Sequence, residues 1–100
     1  MWAFNNLLGE NMAKIDFEIL SNPSNLKIPN SPVEVDNDSL SGRETLVSDA
    51  IAHENNGSVT NIFQVDNDPV YQVSIAYNDL SSHKETTSKV TFNVGQYHAD

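Results

Sequence analysis

Val70-Tyr71-Gln72-Val73-Ser74-Ile75-Ala76-Tyr77 is the stretch that decides the fold. Tyr71, Val73, Ile75 and Tyr77 fall on one side of an extended chain, and Gln72, Ser74 and Asn78 on the other. A period of two with one apolar side is the mark of a strand with one buried face and one wet face. The same alternation recurs downstream in Lys89–Val94, through Val90, Phe92 and Val94. Upstream, Lys14–Leu20 places Ile15, Phe17 and Ile19 opposite Asp16 and Glu18, and Val59–Val65 carries Ile62, Phe63 and Val65. Short connections between the last three segments predict antiparallel hairpins.

Between the first strand and these three lies a helix. Ser41-Gly42-Arg43-Glu44 has the spacing of a capping box, in which Ser41 accepts from the amide three residues on and Glu44 reaches back. Leu46, Val47, Ala50 and Ile51 then form one apolar stripe. Asn56-Gly57 supplies the stop, with glycine expected in the left-handed conformation after the last turn. The helix therefore runs from about 42 to 55.

Residues 21–40 lose all period, and Pro23, Pro29 and Pro32 interrupt any ladder. This stretch reads as a long Pro/Ser/Asn-rich loop, either mobile or carrying a short edge strand at Val33–Val35. The fold class that results is α+β in two layers. One main helix packs on a four-stranded, mostly antiparallel sheet, in the chain order β-α-β-β-β. Residues 1–100 form a single domain, with 1–12 as an N-terminal extension or a short helix through Trp2, Phe4, Leu7 and Leu8.

The tetrapeptide VDND occurs twice, at Val35–Asp38 and Val65–Asp68. Asp and Asn hydrogen-bond their own backbone in turns, and Pro69 cannot sit in a central ladder, so both copies read as turn chemistry. Convergence of Asp36, Asp38, Asp66 and Asp68 on calcium is the alternative, but calcium takes about six to eight oxygens. Counted from Asp36, Leu40 and Gly42 occupy the fifth and seventh places, where an EF-hand loop supplies ligands.

Five basic and fourteen acidic residues give a formal charge of −9. Lys14, Lys27, Arg43, Lys84 and Lys89 are scattered, so no cationic stripe follows a phosphate backbone and nucleic acid is not an expected partner. Anionic membrane surfaces are disfavoured on the same ground. No segment approaches the roughly 20 apolar residues of a membrane span. The opening MWAFNNLLGENMAK lacks the basic start and unbroken apolar run of a leader, and Met12 is an alternative start. The expected location is cytoplasmic. The absence of cysteine removes disulfides, thiolate metal sites and thiol nucleophiles.

Motifs for chemistry are sparse. His53-Glu54 has no second histidine four residues on, and His53 sits where a cation suits the helix dipole. Ser81-Ser82-His83-Lys84 has a Ser-x-x-Lys spacing but falls in a polar loop rather than at a helix start. Asp16 and Glu18 lie on the wet face of their strand, where nothing pushes their pKa values apart. No catalytic residue, metal site or cofactor is assigned, and the protein reads as non-enzymatic.

Four strands, with Phe63 and Val65 counted on the apolar side, offer a wider apolar face than one helix covers, and large uncovered apolar patches mark interfaces. The expectation is a small acidic protein-binding or inhibitory module, whose partner is another protein or a second copy meeting it as a homodimer through the sheet or an edge strand. The alternative is a small-molecule binder with an apolar pocket between helix and sheet. Phe17, Ile51, Phe63, Tyr71 and Phe92 are the candidate lining or interface residues, with Trp2 as a further apolar contact.

Asn67-Asp68-Pro69-Val70-Tyr71-Gln72-Val73-Ser74-Ile75 resembles the centre of PepSY domains, where a turn leads into a Tyr-x-Val strand. Gly57 and Val59 stand where that family has a glycine after its helix. The resemblance covers 42–95, and the family's closing acidic-and-glycine turn is not matched at Asn93-Val94-Gly95-Gln96. It implies a non-catalytic binding or inhibitory role.

Overall fold

The computed structural model describes residues 12–36, 42–67 and 69–99. Five strands and one helix follow in the order β1 Met12–Ser21, β2 Val33–Asp36, α1 Arg43–Glu54, β3 Ser58–Gln64, β4 Val70–Asn78 and β5 Glu85–Ala99. The strands form one sheet in the order β2-β1-β5-β4-β3, and every neighbouring pair is antiparallel. The sheet curls into a half-barrel.

This corrects the expected two-layer, four-stranded fold. The fifth strand, β2, lies inside the stretch read as a long loop, and it pairs with β1 from Met12↔Asp36 to Ile15↔Val33. The chain is mostly β, chiefly through the fifteen residues of β5 and the ten of β1, and the helix is not a separate covering layer. α1 touches all five strands. A flat sheet of five strands at ~4.8 Å spacing is wider than one helix, so such contact needs a curled sheet.

Register explains which side chains face the helix, since directly opposed residues share a face. Ile19, Phe92, Tyr71 and Gln64 form one row across the sheet, and Val90, Val73 and Ile62 the next. Ile15, Val47, Ile51, Val73, Ile75, Val90 and Phe92 are fully buried there. A bulge between Val59 and Asn61 shifts β3 by one residue. It turns Ile62 inward and pairs Phe63 with Gln72 on the outer face. Phe63 and Val65 are thus 42% and 41% exposed, against the expectation that they join the apolar face. A one-residue slip moves every following side chain across the sheet, so a single bulge accounts for both.

The helix ends also differ from expectation. Gly42, extended at φ −70 and ψ 167, is the N-cap, and it makes no side-chain cap bond. Ser41 lies outside the described residues. At the other end Asn56, not Gly57, takes the left-handed conformation, with φ 52. Gly57 is required for a different reason: a Cβ there would stand 2.4 Å from the Ala76 carbonyl oxygen of β4.

The β1–β2 loop is held by side-chain amides. Asn22 mimics a strand partner, accepting from the Leu26 amide at 3.1 Å and donating to the Leu26 carbonyl at 3.0 Å. Leu26 is buried as a result. Ser31 accepts from the Phe17 amide, and the Ser88 hydroxyl donates to Ser24 at 2.7 Å. Among the described residues no helix is long and apolar enough to cross a membrane.

Candidate functional site

The fold creates two features that stand out from a packed core. The first is a cleft of about 440 Å³ at one end of the molecule. Three segments wall it: Ser24–Lys27 of the β1–β2 loop, Glu54–Asn56 at the C-terminal end of α1, and Tyr77–Leu80 where β4 leaves the sheet. That volume lies within the range of small-molecule sites.

Asn55 joins two of the walls, bonding the backbone of Lys27 through both atoms of its amide. Asn25 and Asn56 both adopt positive φ, 55 and 52, a conformation asparagine tolerates better than most residues. The third wall is shaped by Asp79. Its Oδ1 accepts from the Ser81 amide at 2.8 Å and the Ser81 hydroxyl at 2.7 Å, and the His83 amide donates to its carbonyl. The Ser81 hydroxyl, with the Ser81 and Ser82 amides, holds the Asp79 carboxyl below its ordinary range. Leu80, 85% exposed, and the half-buried Tyr77 supply apolar surface.

The second feature is the outer edge of β3, which among the described residues pairs with β4 alone. Ser58-Val59-Thr60-Asn61-Ile62-Phe63-Gln64 contains no charge and no proline. The opposite edge, β2, is four residues long and carries Glu34 and Asp36. The Val65 amide donates to the Val70 carbonyl, so by the alternation of an antiparallel ladder the N–H and C=O of Ile62 and Gln64 point away from the sheet.

The residues singled out from sequence do not meet at one site. Phe17, Ile51 and Phe92 are core, and Tyr71 stacks on Phe92 with ring centroids 6.4 Å apart. Phe63 lies on the outer face of β3, and Trp2 is outside the described residues. None of the five described residues lines the cleft, which opens at the end of the helix rather than beneath it. Asp36 and Asp66 lie near opposite edges of the sheet, while Asp38 and Asp68 are outside the described residues. His53 is on α1, His83 in the turn after β4 and His98 on β5. Buried polar side chains among the described residues are Ser48, Ser74 and Ser88, and Ser48 donates to the Glu44 carbonyl.

Sequence reasoning did not find the cleft. Its walls come from three polar segments, and only the turn residues Asn22-Pro23-Ser24-Asn25 and Asn55-Asn56 carried a local signal. In comparison with known proteins, no family model, curated protein or solved structure matches the chain.

Proposed function

We propose that this protein is a non-enzymatic binding module that joins a second copy of itself by strand addition along β3. The observation that carries this reading is the uncharged edge Ser58–Gln64 in a chain of net charge −9. Exposed edges are ordinarily blunted by lysine, proline or short length, because their free backbone groups pair with other chains. β2 has the short length and the charges, while β3 has only its bulge. Two acidic molecules repel over most of their surface, and β3 is where they approach without opposing like charges. Pairing about a twofold axis at Phe63 sets Ile62 against Gln64 of the other copy, with their outward backbone groups in register. The exposed Phe63 rings then cover one another.

Light scattering on the eluting full-length chain, across a range of micromolar concentrations, tests this. The expected mass rises from 11.1 kDa toward twice that value with concentration. Phe63→Lys, on the outer face, should keep the far-ultraviolet spectrum and hold the protein at monomer mass. A monomer at every concentration, or a dimer that Phe63→Lys leaves intact, overturns the proposal.

A further inference from the structure

We propose that the cleft between the β1–β2 loop, the end of α1 and the turn after β4 binds a small organic cation, an alkylammonium or guanidinium group on an apolar stem. This is independent of the β3 edge. Among the described residues, the walls set Glu54 and Asp79 against one cation, Lys27. They also include the C-terminal end of α1, the negative end of the helix dipole. The side chains of Asn25, Asn56 and Asn78 add amide oxygens that accept from N–H donors. An anionic ligand would enter against the two carboxylates and the −9 charge of the whole chain.

The apolar part of the lining fits the stem. Leu80 is 85% exposed at the cleft, and Tyr77 offers an aromatic side chain that attracts a cation. The donors from Ser81 and Ser82 all meet Asp79 at Oδ1 and hold its carboxylate in place at the cleft wall. Two of the walls are already joined before any ligand arrives, through Asn55 to Lys27, and Ser88 of β5 anchors the β1–β2 loop at Ser24. Such preorganisation lowers the ordering cost of binding.

The test is an amide-shift titration of the nitrogen-15-labelled full chain with n-butylguanidinium, n-butylammonium and n-butanol. Saturable shifts confined to residues 24–27, 54–56 and 77–80 are expected with the two cations and not with the alcohol. Glu54→Gln should weaken binding by about threefold, the scale of an exposed charge pair, and Lys27→Gln should strengthen it by a similar factor. The Lys27 bonds that shape the cleft run through its backbone, so substitution of its side chain leaves them in place. A capped peptide with one arginine separates two sources of the group. Tighter binding than n-butylguanidinium assigns the site to a basic side chain of a partner, and equal binding assigns it to a free small cation. Absence of saturation, shifts elsewhere, equal response to n-butanol, or indifference to both substitutions overturns the proposal.

Discussion

The side-chain amide of Asn55 closes a two-bond ring with the backbone of Lys27. Its Oδ1 accepts from the Lys27 N–H at 3.0 Å and its Nδ2 donates to the Lys27 carbonyl at 2.9 Å. The same Nδ2 donates to the Ile51 carbonyl at 2.8 Å. One residue thus ends the helix, joins it to the β1–β2 loop and sets the width of the cleft. Asn55→Ala removes all three bonds. The expected loss is about 1–2 kcal/mol by chemical denaturation, because the groups released are partly wet. Hydrogen exchange at the Lys27 amide should quicken by more than at Leu26, whose partner Asn22 is unchanged.

Gly57 and Asn56 divide two roles that a single glycine commonly fills. Asn56 holds the left-handed backbone, and Gly57 gives β4 room to pass. Gly57→Ala would put its methyl 2.4 Å from the Ala76 carbonyl oxygen, so α1 or β4 must shift. A loss of about 1–3 kcal/mol is expected, the usual cost of overpacking. Asn56→Gly should be close to neutral, since glycine reaches positive φ without strain. Thermal melts of the two variants side by side distinguish the roles. A neutral Gly57→Ala would show that the approach of β4 is not tight.

Phe92 and Phe63 look alike in sequence, each in an alternating strand, yet one is fully buried and the other is 42% exposed. Phe92→Ala should cost about 3–5 kcal/mol, since it opens the centre of the core and removes the ring that Tyr71 stacks on. Phe63→Ala, measured on the monomer at high dilution, should change stability by less than about 0.5 kcal/mol. Equal losses at the two positions would mean that β3 is shifted back by one residue.

That pair also shows what could be read from the residues alone. The alternation of Val70–Tyr77 and Val90–Val94 placed Tyr71, Val73, Ile75 and Phe92 on the inner face, because every large apolar residue from Tyr71 to Tyr77 falls on one side. The helix was legible from its stripe through Val47 and Ile51. The bulge at β3 was not, because a bulge changes backbone geometry with no marker residue in Val59-Thr60-Asn61. β2 was legible only as one of two readings, a short edge strand at Val33–Val35, because four residues among prolines set no period, and the four-stranded sheet left it out. The fold class turned on strand content and curl, and neither the length of β5 nor the irregularities in the β1–β5 and β3–β4 pairings leave a periodic mark. The cleft was least legible. The Asn55–Lys27 bonds join residues 28 apart, and no periodic pattern encodes such a contact.

Acid should act on the turn after β4, one wall of the cleft, through Asp79. The carboxyl of Asp79 titrates below its ordinary value near 3.8, chiefly because the Ser81 hydroxyl and amide donate to it, with Ser82 adding a third donor. A carboxyl whose folded pKa is lowered adds stability that is present above its unfolded pKa. That stability is lost as pH falls through the lower, folded value. The turn should therefore stay ordered through neutral and mildly acidic solution and loosen only below the ordinary aspartate range. Following the Ser81 and Ser82 amide shifts against pH checks this. Their common midpoint should lie below that of a capped Asp-Leu-Ser-Ser peptide. Asp79→Asn should abolish the transition while leaving the amides of Val73 and Val90 unmoved. A midpoint equal to that of the free peptide would show that the serine donors do not hold Asp79 in solution.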